Sequence, residues 1–362
     1  MGELDYHWHI RKIIMKIHLT GTVWHGGLSA SLVEGFEALG HDVHFFNEKG
    51  PGNISVYRKI VTRLARRPYE VDDKLREKIG ALWIESIVEM NPDIIVLEYA
   101  PSIMPKFLHR ARAFKRPILY WVTTPPNSSQ SKELVLGMGD VDCIFTIDRQ
   151  WMQFLERFSE GKDVKHLPLA GNENNFIPLL EYEEREKNNI YDLVFVGSFS
   201  PQDPSAAWRG YLLDSISGKY NVGVFGNGIP YWESYFPKLS TFARGGLLTV
   251  DALNELYNKT KIVLNIHSTD HLSSISARTF EIALSGAFQL VDFREDIKSI
   301  FQEDLFLSFK TKKEMNKMIE DWINTPEKRW QRAEAARNAV LEKHLWRHRA
   351  QAIIEASKKN NY

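Results

Sequence analysis

Short, nearly continuous apolar runs alternate with segments of helical spacing, and this constrains the chain more than any single motif. A first set comprises Lys12–Thr20, Asp42–Phe46, Asp93–Tyr99, Pro117–Val122, Asp142–Ile147 and Val164–Leu169. Between them lie helical stretches such as Leu28–Gly40, whose Leu32, Phe36 and Leu39 share one face and which ends on a glycine, and Val71–Asn91. Strands that are apolar on both sides, with helices in the gaps, predict a parallel sheet covered on both faces. The charged, Pro-containing stretch 174–190 breaks the pattern. A second set then follows: Tyr191–Phe199, Tyr220–Gly226, Leu247–Val250, Lys261–His267, Ala287–Asp292 and Asp304–Phe309, with helical sequence to the end. The expected fold class is α/β, with two Rossmann-like doubly wound domains facing each other across a cleft. The expected boundaries are 1–173 and 191–335, a linker at 174–190, and a last helix, 336–362, packing back on the first domain. Ligands of such domains bind at the carboxyl ends of the strands.

Charge narrows the choice of partner. Lys+Arg and Asp+Glu both number 46 in 362 residues, so there is no basic excess of the kind a general nucleic-acid binder shows. The single cysteine, Cys143, excludes an internal disulfide and a multi-cysteine metal site, which fits a cytoplasmic protein. The N-terminal stretch mixes acids and histidines with a short apolar run, so neither a signal peptide nor a transmembrane segment is expected.

Candidate site residues gather where strands end. After the first strand, "GTVWHGG" supplies Gly26 and Gly27, which permit close backbone approach, and His25, a candidate general base. The loop lacks the G-x-G-x-x-G spacing of a dinucleotide site, and a plain glycine turn with a solvated histidine explains it equally. In the second half, "VFVGSFSPQDPSAAWRG" brings Gly197 and Ser198 to a strand end, with a helix starting near Arg209, a candidate phosphate partner. "VFGNG" repeats the strand-then-glycine pattern at Gly226. "LNIHSTDHLSSISARTFE" places Asn265 and His267 at another strand end, then a Ser-rich loop, then a helix. Phe280, Ala283, Leu284 and Ala287 form that helix's buried face, and Gly286 stands where a C-terminal cap belongs. Arg278 and Glu281 lie off that face. Free N–H groups at the helix start, the hydroxyls of Ser276 and Thr279, and Arg278 would suit a diphosphate, and Glu281 could accept from ribose hydroxyls. A first-turn glutamate favoured by the helix dipole explains Glu281 alone, but not the convergence.

The run "KIVLNIHSTDHLSSISARTFEIALSGAFQLVDFREDIKSIF" resembles the C-terminal domain of the CgeB-like spore-maturation glycosyltransferases, which have the GT-B architecture. "DLVFVGSFSP…WRGYLL", "HLPLAGNENNFIP" and "PEKRWQRAEAARNAVLEKHLWRHRAQAII" resemble their first C-domain strand, linker and last helices, so the likeness covers most of Lys165–Ile354. The first half matches by pattern only. The resemblance implies a nucleotide-sugar donor, a UDP- or GDP-sugar, on the second domain and an acceptor on the first, with no cofactor and no metal. It puts Glu281 in place of the second glutamate of the E-x7-E motif of related retaining enzymes, but Ser273 stands where the first would be. "YWVTTPPNS" carries Thr123 and Thr124 where many relatives have an acid near a proline. The expected function is transfer of a sugar to an unidentified acceptor, with Arg278 and Arg209 on the leaving diphosphate. The alternative is a two-lobed protein that binds a nucleotide or sugar without turnover.

Overall fold

The computed structural model describes residues 13–22, 27–49, 68–126, 132–301 and 305–359. His25 and Gly26 lie outside these. Two six-stranded sheets are built one after the other along the chain. The first holds β1 (Lys16–Gly21), β2 (Asp42–Asn47), β3 (Ile94–Glu98), β4 (Ile118–Val122), β5 (Cys143–Thr146) and β6 (Asp163–His166), in the order β2-β1-β3-β4-β5-β6. The second holds β7 (Tyr191–Val196), β8 (Val222–Phe225), β9 (Ala243–Gly245), β10 (Thr260–Asn265), β11 (Gln289–Asp292) and β12 (Leu307–Phe309), in the order β12-β11-β10-β7-β8-β9. Every pairing is parallel.

The strands are apolar throughout because both faces of each sheet are covered. Along β7, Leu193 and Phe195 belong to one core, and Val194 and Val196 to the other. The strand orders also say where a ligand goes. The chain reverses its direction of winding between β1 and β3 in the first sheet, and between β7 and β10 in the second. Crevices open at the carboxyl ends of such pairs. In register, Leu264 of β10 lies beside Phe195 of β7, which brings Gly197–Ser198 and Asn265–His267 together.

Two expectations need correction. Leu247–Val250 is not a strand. The Thr249 hydroxyl accepts from the Ala252 N–H at 3.3 Å and starts the helix Val250–Asn258, while the edge strand is Ala243–Gly245. The helix expected near Arg209 begins at Pro204, capped by Asp203 onto the Ser205 N–H, so Arg209 lies within it. The charged stretch after β6 also carries a short helix, Tyr182–Lys187.

The chain crosses between the sheets twice, side by side. Gly171 bridges to Leu345, with the Gly171 N–H on the His344 carbonyl at 3.0 Å. Beyond that bridge, helix Trp346–Lys359 lies against helix Leu28–Ala38. A Cβ on Gly35 would stand 2.7 Å from the Trp346 backbone, so only glycine allows this approach. The buried Arg349 guanidinium donates to the carbonyls of Pro168 (2.7 Å) and Leu169 (2.9 Å), which staples the last helix to the crossover. Among the described residues no helix is long and apolar enough to cross a membrane.

Candidate active site

The β7–β10 crevice collects most of the candidates from the second half. Gly197 is buried at the end of β7, and a Cβ there would meet the Phe195 ring at 2.6 Å. Two arginines from different helices grip the backbone on either side of it. Arg278 Nη1 donates to the Val196 carbonyl at 2.6 Å, and Arg209 Nη1 to the Ser198 carbonyl at 2.9 Å. In both, Nε is buried without a hydrogen-bond partner. Asp203 lies 3.6 Å from Arg209 and pairs with that guanidinium. Burial pushes the Arg209 guanidinium below its usual pKa; Asp203 opposes that shift and the charge of Arg278 adds to it. Two cations held this close, with donors left over, form a positive locus suited to an anion.

Helix Ala277–Leu284 carries Arg278 and Glu281 one turn apart and ends at Gly286, whose φ of +68° is one that a side chain resists. Burial pushes the Glu281 carboxyl above the usual carboxylate value, while Arg278 beside it pulls the other way. Tyr257, fully buried, lies beside both; burial raises its phenol, the charge of Arg278 opposes this, and Glu281 adds to it. Sequence reasoning missed Tyr257, because a tyrosine in an amphipathic helix reads as core.

Other candidates are turned inward. Asn265 Nδ2 donates to Thr279 Oγ1 at 3.0 Å and to Gln289 Oε1 at 2.9 Å. His267 Nδ1 bonds Asp292, whose Oδ1 also accepts the His267 N–H at 2.8 Å. Burial alone would raise the Asp292 carboxyl, but His267 and Arg294 hold it below its ordinary value. Asn265, His267 and Thr279 are all buried, so their side chains hold β10, β11 and the helix together rather than reach a ligand. Gly226 has a packing role too: a Cβ there would stand 1.8 Å from the Gly197 carbonyl oxygen. Ser198 is exposed, and Ser276, half-buried, starts the helix without a side-chain cap.

The loop that leads into this helix is held from the first half of the chain. The N–H groups of Leu272, Ser273 and Ser274 all donate to the Asp148 carboxylate, at 2.8, 2.9 and 3.0 Å. That carboxylate comes from the end of the first sheet.

In the first half, the β1–β3 crevice holds a buried carboxyl that the sequence reading passed over, Glu98. It accepts from the Ser29 hydroxyl, and from Thr123 Oγ1 at 2.6 Å. Ser29 in turn accepts from the Thr22 N–H at 3.1 Å. Burial raises the Glu98 carboxyl; Ser29 and Thr123 counter this, and nearby Glu48 adds to it. Glu98 thus ties the turn after β1, helix Leu28–Ala38 and the loop after β4. Gly27 is the residue before that helix, and Thr124 sits half-buried next to Thr123. The signal available was a polar residue closing an otherwise apolar strand. A separate cavity of about 250 Å³, lined by Tyr182, Lys261, Phe288, Arg329 and Trp330, lies against the amino ends of β10 and β11, away from both crevices.

Both sheets, their strand orders and their paired crevices define the GT-B glycosyltransferase architecture. Over 95% of its length the chain matches the structure of sucrose-phosphate synthase from Thermosynechococcus elongatus, covering 98% of that chain at 13% identity with a TM-score of 0.69. It matches a UDP-forming trehalose-phosphate synthase from Burkholderia xenovorans over 97% of its length and all of that chain, at 10% identity and a TM-score of 0.64. Anabaena HepE, solved in complex with UDP and glucose, matches over 95% and 100% of the two chains at 14% identity, TM-score 0.61. By sequence, residues 209–355 match the family described as Glycosyl transferase-like, a span that holds Arg209, Arg278 and Glu281. No curated protein matches the sequence.

Proposed function

We propose that this chain transfers a sugar from a nucleotide-sugar donor to an acceptor hydroxyl, with residues 191–335 as the donor side, 1–173 as the acceptor side and 174–190 as the linker. One observation carries the reading: Arg209 and Arg278 flank Gly197 at the β7–β10 crevice, each with a buried Nε that has no partner. A diphosphate supplies acceptors for such donors and neutralises both charges. Glu281, one turn along from Arg278, is then the residue for ribose hydroxyls. Uridine is the base to test first, because HepE was solved with UDP and with UDP-glucose, and the Burkholderia enzyme is UDP-forming. The motif order of the second half supports a place among the CgeB-like enzymes, and one buried cysteine suits the cytoplasm.

In the transfer, the acceptor oxygen bonds to the anomeric carbon as the bond from that carbon to the diphosphate oxygen breaks, and the acceptor hydroxyl's proton passes to the leaving diphosphate. The electron pair stays on the diphosphate, where Arg209 and Arg278 meet the added charge. With that charge met by guanidiniums, the reading requires no metal.

The rival reading, binding without turnover, has its own observation. Ser273 stands where related enzymes carry an acid, and its hydroxyl is spent on Asp148 at 2.8 Å. A nucleotide-sugar panel read by thermal shift, followed by an assay of donor hydrolysis without acceptor, decides between them. A donor that stabilises the protein and is slowly hydrolysed supports the transferase. Stabilisation with no turnover, with or without sugar acceptors, supports the binder.

A further inference from the structure

Asp148 is the most heavily used carboxylate among the described residues. It follows β5, has no exposed surface, and caps helix Arg149–Glu156 by accepting from the Gln150 N–H at 2.9 Å. Its other bonds cross to the second half of the chain. Oδ2 accepts from three consecutive N–H groups, those of Leu272, Ser273 and Ser274, and from the Ser274 hydroxyl at 2.9 Å. Oδ1 accepts from the Ser273 hydroxyl at 2.8 Å. Three successive amides turned to one side form an anion nest, and here the anion is intramolecular.

Neighbouring groups fix the same point. The Arg149 N–H donates to Ser273 Oγ at 3.2 Å, and the Asp296 N–H to the Ser273 carbonyl at 3.0 Å. Asp296 itself pairs with Arg149 (3.3 Å) and lies 3.2 Å from His166 Nε2. At its other end the loop is held by Ser205, whose hydroxyl meets Ser268 and accepts from the Thr269 N–H, both at 2.9 Å. The loop therefore has little freedom of its own: one end follows the second sheet and the other follows Asp148. Four residues after Ser274 comes Arg278, and seven after it Glu281.

We propose that Asp148 is a positioning residue for the donor site: from the first half of the chain, it holds loop 272–274 in the shape that sets where Arg278 and Glu281 stand. The proposal rests on the donor-site reading above. It also links the acceptor half to the donor half through one carboxylate, so the two crevices share a reference point. Asparagine in its place would set an NH₂ against a ring of donors. The loop would then relax, and Arg278 would lose its alignment on the Val196 carbonyl.

The test compares UDP binding by isothermal titration in wild type, Asp148→Asn, Arg278→Ala and the double variant, on protein whose active fraction is known from the titration stoichiometry. Asp148→Asn should weaken UDP about ten- to a hundredfold, the range expected when a hydrogen bond to a charged group is lost. In the Arg278→Ala background, Asp148→Asn should cost several-fold less than it does in wild type, because the share that acts through Arg278 is already lost and only the share through Glu281 remains. A purely structural role would lower the stoichiometry or the melting temperature and leave the dissociation constant unchanged, and that result overturns the proposal. So does a double variant whose losses multiply. If Asp148→Asn yields too little folded protein, Ser274→Ala, which removes one hydroxyl from the same carboxylate, should give a smaller loss in the same direction; unchanged affinity there also overturns it. Wild-type binding of UDP that is lost in Arg278→Ala but intact in Asp148→Asn leaves the donor-site reading standing without this proposal. Absence of nucleoside-diphosphate binding in wild type removes both.

Discussion

Arg209 and Arg278 donate to the carbonyls of Ser198 and Val196, so guanidiniums from two helices bracket Gly197 at the end of one strand. Each uses one Nη on the backbone and keeps a buried Nε without a partner. The backbone bonds orient the groups, and the remaining donors supply the attraction. Arg278→Ala should therefore weaken UDP binding by about 1.5–3 kcal/mol, the range for a hydrogen bond to a charged group. Arg209→Ala should do the same. Because the two face one anion, the losses should fall short of additive by more than about 0.5 kcal/mol in a double-mutant cycle. Titration calorimetry on folded variants checks this; wild-type affinity in either single variant sinks the site.

The proposed donor site assigns Glu281 to the ribose and the two arginines to the diphosphate, and a variant can separate the two. Its carboxyl is raised by burial and lies beside Arg278. Glu281→Gln keeps the shape while removing the charge. The variant should lose affinity for UDP by about 1–3 kcal/mol and keep its affinity for pyrophosphate, which has no ribose. An equal loss for both ligands would mean that Glu281 acts by steering Arg278 instead.

What the sequence disclosed follows from what each segment's neighbours are. Two parallel sheets were legible because burial on both faces leaves strands apolar end to end, as in β7, and helices fill every gap. The short edge strand β9 was not legible, since Ala243–Gly245 carries no apolar run and Leu247, the first residue of the expected strand, is exposed. Arg278 and Glu281 stood out because charges next to a buried helical face have few structural uses. Asn265, His267 and Thr279 were read as ligand contacts by the same logic. They proved to satisfy one another, and a pairing of that kind depends on β10, β11 and a helix meeting in space. Asp148 was invisible for the same reason: its partners lie more than 120 residues away.

Glu98 distinguishes charge from shape in the β1–β3 crevice. Its folded carboxyl is raised, so its contribution to stability is present below the ordinary glutamate value and is lost as pH rises through the folded one. Glu98→Gln cannot ionise. Its oxygen can accept from Ser29 while its NH₂ donates to Thr123, if that hydroxyl turns. At pH 8 the glutamine variant should be at least as stable as wild type, within about 1 kcal/mol, whereas Glu98→Ala should lose about 2–4 kcal/mol from lost bonds and a cavity. Urea unfolding at pH 8 measures both; a glutamine variant as weak as the alanine one would show that the charge is needed.

His18 gives the fold a built-in acid sensitivity. The ring has no exposed surface and packs against Trp83, His44 and Phe46. Ser86 gives its own proton to the Trp83 carbonyl at 2.8 Å, so at 2.8 Å from His18 Nε2 it accepts. Nε2 therefore carries the hydrogen, and Nδ1 is bare and buried without a partner. A second proton would have to sit on Nδ1, buried among rings, where the residue's own backbone gives only partial compensation. Burial, and then the charge of His44, lower the pKa to about 3. The unfolded chain takes up this proton below about 6.5, so His18 contributes its full stability above that pH. As pH falls from 6.5 toward 3, the loss is about 1.4 kcal/mol per pH unit. His271 and His344, also lowered to about 3, change in the same direction. Urea unfolding at pH 7.5, 6.5, 5.5 and 4.5 should show wild type falling more steeply than His18→Gln by that slope, although the variant starts lower at pH 7.5 because it loses ring packing. Parallel curves for the two proteins would mean that His18 can be protonated in the folded state.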